Sequence, residues 1–366
     1  MNRNWHPRRL WLWLMAPVDP PLMLLAGLLL AVSLLMVGSA SPERVSSQIV
    51  NMAVALIVMR AVAQMPPQRL MHLALPVYAA GLLLLVAVAL FGDVSKGARR
   101  WLNLGFMRVQ PSEMMKIAVP LMMAWYFQRR EAALRLYDYA LAAIILLVPT
   151  ALIARQPDLG TAILVLAAGF YVIFLAGLPW KIIAGMAVAA VAGAPMVWGL
   201  LHDYQRSRIL TLLDPEKDPL GKGFHIIQST IAIGSGGILG KGWGQGTQAQ
   251  LEFIPERHTD FMFSVVSEEF GLLGNTVLLV LYALVIGRGL MIAANAPTLF
   301  TRLLAGAITM TFFTYAFVNM GMVSGILPVV GVPLPFVSYG GTALVTLFLG
   351  VGILMSIHGH RMLVQK

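Results

Sequence analysis

The residues best suited to chemistry lie in a short stretch, Phe253 to Phe261. Between Glu256 and Asp260, four of the five side chains carry or can carry a charge, in a chain in which only 11% of residues are charged. An apolar run begins at Met262, so Asp260 stands at the mouth of an apolar helix. There its carboxylate could act as a general base for a hydroxyl group. The alternative is an N-cap, in which the carboxylate accepts from the first free N–H groups of the helix.

A second ionisable pair, Glu113 and Lys116, follows Gln110-Pro111-Ser112. The two residues are three positions apart, so they share one face of the predicted helix. Ionisable side chains inside a membrane span usually pair with each other or face a polar cavity. The pair is therefore either a structural ion pair, or Lys116 contacts an anionic substrate or holds Asp260 in place.

Adjacent carboxylates at Glu268 and Glu269 lie about two turns into the apolar run that starts at Met262. Charges at that depth are costly and often mark a cation or proton pathway, which would favour a transporter. They could equally pair with a buried cation such as Lys116. The glycine-rich stretch 233–244 could hold an anion on its N–H groups, but it lacks the spacing of a nucleotide-binding P-loop.

The segment 325–341 contains Pro328, Pro333 and Pro335 among several glycines. Proline breaks a helix, so this stretch cannot be a regular one. Irregular backbone at membrane depth is tolerated only where it is buried in protein or lines a cavity. The sequence therefore predicts a binding site or a re-entrant segment here.

These stretches are separated by long apolar runs in a chain of 366 residues that is 58% hydrophobic. Runs of about 20 apolar residues can each cross a bilayer, so the fold class is an all-α polytopic membrane protein. The chain has no cysteine, which excludes disulfides and thiolate sites, and no metal-ligand cluster stands out. About ten spans are predicted, at 22–39, 47–64, 74–91, 113–128, 139–154, 161–178, 182–201, 262–287, 302–320 and 340–358.

An even number of spans places both termini on one side, and the lysines and arginines of the short loops make that side cytoplasmic. We expect a single membrane domain, 1–366, with one large external loop at 202–261. The external loops are nonetheless basic: Arg99 and Arg100 lie in the loop 92–112, and Arg206, Arg208 and Arg257 in the large loop. Long loops escape the positive-inside rule, whereas the shorter basic loop indicates an anionic ligand on the outer face.

Taken together, several motifs resemble those of the SEDS family (shape, elongation, division and sporulation). The similarity runs nearly from end to end, and the stretch 202–229 resembles the elongation member RodA more than the division member FtsW. The motifs that carry it are Gly97-Ala98-Arg99-Arg100-Trp101, Gln110-Pro111-Ser112-Glu113 with Lys116, Gln156-Pro157-Asp158-Leu159-Gly160-Thr161, Pro255 to Phe261, and Pro333 and Pro335 with Ser338-Tyr339-Gly340-Gly341.

The resemblance implies a ten-helix peptidoglycan glycosyltransferase of the bacterial cytoplasmic (inner) membrane, serving cell-wall elongation and rod shape. It would polymerise lipid II into β-1,4 glycan strands on the outer face, with inversion at the donor MurNAc and release of undecaprenyl pyrophosphate. Its partners would be a class B penicillin-binding protein and other elongation-machinery membrane proteins, with no nucleic acid. No cofactor is required, although a divalent cation on the pyrophosphate is compatible with the scheme.

The family's essential carboxylate falls on Asp260, which we therefore predict to be catalytic. Predicted substrate-binding residues share either a place in these motifs or a basic charge in an external loop. They are Arg99, Arg100, Glu113, Lys116, Arg206, Arg208, Glu256, Arg257, His258, Ser338 and Tyr339.

Two rival functions remain open at this stage. A lipid II flippase would explain the broken helices and the pair Glu268-Glu269, whereas a scaffold without chemistry would leave the external charges unexplained. Purified protein given labelled lipid II separates the three, because an enzyme forms glycan chains, a flippase only translocates, and a scaffold does neither.

Overall fold

A computed structural model describes residues 18–95, 98–103, 108–130, 134–201, 203–217, 223–254 and 256–361. These residues form thirteen α-helices and a small antiparallel sheet of order β1-β2-β3. The helices are α1 Pro20–Ala40, α2 Val45–Ala63, α3 Pro67–Phe91, α4 Pro111–Arg129, α5 Leu136–Arg155, α6 Leu159–Leu175, α7 Trp180–Leu200, α8 Asp203–Leu213, α9 Phe224–Ser235, α10 Thr247–Gln250, α11 Met262–Ala294, α12 Leu299–Val323 and α13 Gly341–His360. The strands are β1 Asp93–Ser95, β2 Ala98–Asn103 and β3 Arg108–Val109.

Each of the ten predicted spans falls on one helix, which confirms a polytopic helical membrane protein. Among the described residues, seven helices are long and apolar enough to cross a membrane. Two more, α6 and the first part of α7, are apolar but shorter. The tenth is α4, which carries Glu113 and Lys116 and is almost wholly buried.

Helices α4 and α12 form the centre of the bundle. Helix α12 packs against α4, α6, α11 and α13, and most of its side chains are buried. Helices α2 and α13 pack along each other, and Gly352 allows their backbones to meet because an added Cβ would lie 2.5 Å from the Met59 carbonyl oxygen. Helix α7 lies at the edge, with most of its described residues exposed.

The small sheet and the longer connections between spans lie at one end of the bundle, which we call the loop end: the turn 156–158 and the described segments 203–217, 223–254, 256–261 and 324–340. The first and last described helices begin and finish at the opposite end. There the buried Asp19 accepts hydrogen bonds from Arg288 at 2.6 and 2.9 Å and lies 3.3 Å from His358 Nε2. Both ends of the described chain therefore lie on one side, as an even number of spans predicts.

Helix α11 differs from the regular span expected at 262–287. Gly271, with φ 61° and ψ −154°, divides it into a buried first segment, 262–270, and a second segment, 272–294. The second is about 34 Å long at 1.5 Å per residue, enough to cross a bilayer alone. Only glycine fits at the break, because an added Cβ would lie 2.4 Å from the Gly240 nitrogen.

The break is closed by the glycine-rich stretch, which joins α9 to α10 in a structure we call the glycine hairpin (residues 224–250). The helix break frees backbone groups on both of its sides, and the hairpin supplies their partners. Two hairpin N–H groups are thereby committed to the protein and are not free to hold an anion. The four bonds run from Lys241 N to Glu268 O (3.0 Å), Gly242 N to Glu269 O (2.9 Å), Leu272 N to Gly237 O (2.9 Å) and Leu273 N to Ile238 O (3.0 Å).

Candidate active site

Asp260 lies in a tight turn, residues 256–261, immediately before α11. The N–H groups of Thr259 and Phe261 both donate to the Glu256 carbonyl, at 3.0 and 3.4 Å, and Glu256 adopts a positive φ of 53°. The N-cap of α11 is Phe261, and no side chain caps the helix there. Asp260 therefore stands one residue before the cap position, and its carboxylate is half-buried.

The backbone of this turn is fixed by Asn319 on α12, a fully buried residue that sequence reasoning missed. Its Nδ2 donates to the carbonyl oxygens of Asp260 at 2.8 Å and Val332 at 2.7 Å. Both partners are acceptors, so only the amide NH₂ group can face them. Asn319 thus ties the Asp260 turn to the irregular segment between α12 and α13.

The carboxylate of Asp260 lies against the backbone of that irregular segment. Gly331 has a φ of 77°, and a Cβ added there would lie 3.3 Å from Asp260 Oδ2. On its other side the segment touches the start of α6, since a Cβ on Gly160 would lie 2.8 Å from the Val330 carbonyl oxygen. Gly331 therefore allows the irregular segment to approach the carboxylate, and Gly160 allows α6 to pack against the other side of that segment.

Ser338 and Tyr339, both predicted to bind substrate, join the same two loops. The Ser338 hydroxyl donates to the Thr259 carbonyl and accepts from the Leu334 N–H at 2.9 Å. The Tyr339 N–H donates to the His258 carbonyl at 2.8 Å. Their hydrogen bonds hold the shape of the Asp260 turn, whatever their side chains contact when a substrate is bound.

His258 and Tyr339 meet edge to face, with ring centroids 5.8 Å apart, and the Arg44 guanidinium lies 5.3 Å from the Tyr339 ring centroid. Burial lowers the pKa of His258, and the Arg44 charge lowers it further. Arg44 belongs to a turn of 3₁₀ helix, Pro42–Arg44, between α1 and α2. Sequence reasoning does not single out Arg44, because its loop is so short. The feature that could identify Arg44 is its location: it is a basic residue in a short loop on the predicted outer side, where short loops seldom carry lysine or arginine.

Three of the arginines predicted to bind an anion donate hydrogen bonds to backbone carbonyl oxygens of the protein. Each guanidinium has five N–H donors, so these bonds use only part of its capacity. Arg99 is exposed on β2, and Arg208 is half-buried on α8. The bonds run from Arg257 to Ala40 O (2.7 Å), from Arg100 to Pro157 O and to Gln156 O (3.4 Å), and from Arg206 to Trp198 O (3.0 Å) and Gly199 O (2.7 Å).

Of these, only Arg257 belongs to the Asp260 turn itself, and Arg44 reaches the turn through Tyr339. Arg206, on α8, donates to carbonyls at the end of α7, and Arg100 supports the turn 156–158. The structure therefore does not gather the predicted basic residues into one cluster.

Glu113 and Lys116 form a buried pair between α4 and α12. Lys116 Nζ lies 2.5 Å from Glu113 Oε1 and 2.6 Å from the Tyr315 hydroxyl, and the lysine side chain is only 3% exposed. This geometry is that of a structural ion pair, the first of the alternatives given above for Glu113 and Lys116. Tyr315 lies one helical turn before Asn319, so the pair supports the face of α12 that holds the Asp260 turn.

Glu268 and Glu269, the residues that favoured a transporter, are both fully buried and accept hydrogen bonds from protein groups. Glu269 accepts a hydrogen bond from the Ser39 hydroxyl of α1. Glu268 closes the glycine hairpin, so its carboxylate is a structural link and not part of a pathway. Its donors are Lys241 Nζ (2.7 Å), Thr247 Oγ1 (3.1 Å), Gln248 N (3.0 Å) and Ala249 N (3.2 Å).

Among the residues that the structure describes, no three histidine, aspartate or glutamate side chains are grouped so that they could hold a metal ion. The candidate site consists instead of one half-buried carboxylate on a clamped backbone, with a histidine and arginines beside it.

Comparison with known proteins gives consistent matches over most of the chain. The FtsW/RodA/SpoVE family of cell cycle proteins matches residues 14–363. The peptidoglycan glycosyltransferase MrdB of Escherichia coli (strain K12) is 52% identical over 365 residues, 99% of each chain. The probable peptidoglycan glycosyltransferase FtsW of Geobacter metallireducens is 40% identical over 280 residues, 75% of this chain and 74% of its own.

Two solved structures share the fold. A chain from work on the structural coordination of polymerization and crosslinking by a peptidoglycan synthase complex matches with a TM-score of 0.80 at 37% identity, covering 94% of this chain and 98% of its own. The rod shape determining protein RodA of Thermus thermophilus matches with a TM-score of 0.71 at 32% identity, covering 94% and 97%.

Proposed function

The chain belongs to the SEDS family of FtsW, RodA and SpoVE proteins, and we propose that it polymerises lipid II at its loop end with Asp260 as the general base. It is a multi-span membrane enzyme, a peptidoglycan glycosyltransferase of the RodA type. The observation that carries the proposed site is the Asp260 turn, because a half-buried carboxylate on a backbone fixed by Asn319 and Ser338 can be held against a substrate hydroxyl.

In the proposed reaction, Asp260 accepts the proton of the 4-hydroxyl of the acceptor GlcNAc. The freed oxygen attacks the anomeric carbon of the donor MurNAc, and the bond from that carbon to the pyrophosphate oxygen breaks. Undecaprenyl pyrophosphate leaves with the bonding electron pair, and the single displacement inverts the α-linked donor to a β-1,4 bond. Pyrophosphate needs little acid assistance, so one carboxylate suffices, unlike in glycoside hydrolysis, where two are usual.

Charge must be stabilised on the departing pyrophosphate, and Arg257 in the Asp260 turn and Arg44 beside Tyr339 are candidates for this role. Arg44 lies over the Tyr339 ring and 3.7 Å from Glu43, and its side chain is 42% exposed, so it is accessible to an anion. Arg99, Arg100, Arg206 and Arg208 remain predictions for binding other parts of the substrates. Lys116 would act through Tyr315 and α12, because it is enclosed by protein.

We place the loop end on the outer face of the bacterial cytoplasmic (inner) membrane, where lipid II is consumed. The basic loops at the opposite end support this orientation. The chain has no cysteine, so a cysteine replacing Lys217 can be labelled selectively. Labelling of intact cells by an impermeant maleimide is expected, and labelling only from the cytoplasmic side would reverse the orientation.

We further propose a class B penicillin-binding protein as the partner, together with other membrane proteins of the elongation machinery. The support is the match to a chain of a peptidoglycan synthase complex that coordinates polymerization and crosslinking. Co-purification of the two full-length proteins from membranes tests the pairing, and their complete separation in mild detergent would count against it.

We expect polymerisation without an added cofactor, because one carboxylate and fixed cations provide the chemistry. Chelation of divalent cations should change the rate by less than about twofold. Activity that disappears with a chelator and returns with Mg²⁺ would instead assign a cation to the pyrophosphate.

The decisive experiment measures glycan formation from labelled lipid II by the purified chain, with and without the class B partner. Asp260→Asn and Asp260→Ala are compared with Asp214→Asn, a matched control on the exposed end of α8. Removal of a general base should lower the rate about 10²- to 10⁴-fold, while the control retains wild-type activity. Equal polymer from all variants would refute the role of Asp260, and translocation without polymer from the wild type would favour a flippase.

A further inference from the structure

The tip of the glycine hairpin exposes large apolar side chains. Ile238 is 71% exposed and Leu239 is 76% exposed, on a turn that Gly237 and Gly240 form with positive φ. The whole stretch 226–240 contains no charged residue. An apolar tip without charge is unfavourable in water, so a surface of another kind must cover it.

Backbone hydrogen bonds fix the depth of this tip relative to the membrane. The carbonyls of Gly237 and Ile238 accept from the N–H groups of Leu272 and Leu273, at 2.9 and 3.0 Å. Those two leucines are themselves exposed and begin the second segment of α11, 272–294, which crosses the bilayer. The tip therefore lies level with the outer end of a lipid-facing helix and continues its apolar surface.

Trp243 gives an independent indication of the same depth. Its indole Nε1 donates to the Leu35 carbonyl at 2.9 Å, just inside the outer end of α1, and more than half of the ring is exposed. Tryptophan at such a position is typical of the membrane–water interface, where an apolar ring and a polar N–H are both satisfied.

We propose that Ile238 and Leu239 insert into the upper acyl chains of the outer leaflet, so that the glycine hairpin is a membrane-seated element. Its partner is the lipid surface itself, reached through the same apolar band that α11 presents. Because the hairpin binds both sides of the break at Gly271, this contact also holds the first segment of α11, and hence the Asp260 turn, at a fixed height above the lipid.

The absence of native cysteine makes the depth measurable. Leu239→Cys carries an environment-sensitive NBD label in proteoliposomes that contain doxyl lipids of graded depth. Two labelled controls set the limits: Leu284→Cys, exposed near the middle of the span, and Glu252→Cys, exposed on the polar part of the same loop. Both substitutions replace exposed side chains, so the fold is retained.

We expect blue-shifted emission from the label at position 239, with quenching by lipids labelled near the headgroup end of the acyl chain at least threefold stronger than at position 252. Emission and quenching equal to those at position 252 would overturn the proposal. Shielding that appears only when a class B partner is added would also overturn it and assign the tip to a protein interface. The readout needs no polymerisation, so it is independent of the proposed reaction.

Discussion

The Asp260 turn and the glycine hairpin both lie at the loop end and both adjoin the first segment of α11, and each involves one carboxylate. In the hairpin, the Glu268 carboxylate is fully buried and receives four hydrogen bonds. In the Asp260 turn, Asn319 and Ser338 donate hydrogen bonds to backbone carbonyls, and Asp260 as a residue is only half-buried.

This difference separates a structural carboxylate from one suited to chemistry. A carboxylate enclosed by four donors has no room for a substrate and cannot take a proton without losing those bonds. A carboxylate on a fixed backbone, facing partly outward, keeps its position and still reaches a ligand. Hence Glu268, one of the two adjacent carboxylates for which a pathway and a structural role were both open, belongs to the scaffold.

The largest effect on stability should come from Glu268→Ala. It removes the acceptor of Lys241 and of two backbone N–H groups, and we expect a loss of about 4 kcal/mol. The melting temperature in lipid nanodiscs measures it. Asp260→Ala is the matched comparison and should leave melting nearly unchanged while activity is lost. Equal melting temperatures for the two variants would abolish the distinction between the regions.

A pair of glycine variants tests how tightly the hairpin meets the break in α11. Both residues have positive φ, so alanine costs about 1 kcal/mol at either position. At Gly240 the added Cβ would also lie 2.1 Å from the Glu269 carbonyl oxygen, whereas Gly237 has nothing within 4 Å. Gly240→Ala should therefore destabilise by about 2 kcal/mol more than Gly237→Ala. Similar melting temperatures would show that the hairpin moves freely.

Asn319→Ala tests whether the Asp260 turn depends on its backbone clamp. Two buried carbonyls would lose their donor, at a cost of about 2 kcal/mol, and the misplaced carboxylate should lower kcat about tenfold with little change in KM. Thr309→Val is the control, since it removes a buried hydroxyl from the same helix far from the turn. A parallel fall in activity for both variants would reduce Asn319 to a general packing role.

The smallest effect concerns pH. Burial lowers the folded-state pKa of His258 below its ordinary value of about 6.5, so the unfolded chain binds the proton more readily. Stability should be complete above pH 6.5 and fall by less than about 1 kcal/mol as the pH drops through the folded-state pKa. His258→Asn should flatten the dependence of melting temperature on pH between 5 and 7. An unchanged slope would exclude His258 as its source.

Much of the fold could be predicted because lipid imposes a strong rule on sequence. All ten spans coincide with helices, since a segment in hydrocarbon must satisfy its own backbone hydrogen bonds. The prolines near Pro333 correctly indicated irregular backbone between α12 and α13. The helix break at Gly271 could not be predicted, because a single glycine inside an apolar run does not by itself indicate a break. Its cause lies in the hairpin, some 30 residues earlier.

For the candidate site, the motif around Asp260 was evident, but its supports were not. Asn319 looks like an ordinary polar residue in an apolar helix, and Arg44 like a lone cation in a short loop. Arg206 and Lys116 were predicted for their charge; both also bond to protein groups, and their role in substrate binding stays a prediction.

The sequence by itself determined the membrane class, the number and position of the spans, and which carboxylate stands at the mouth of a helix. These follow from hydropathy and local order, which any segment carries within itself. Tertiary structure alone decided which carboxylates are enclosed, which side chains clamp the backbone of the Asp260 turn, and which glycines must lack a Cβ. Those properties depend on hydrogen-bond donors and packing atoms from distant parts of the chain. A local sequence pattern does not indicate where those distant residues lie in the fold.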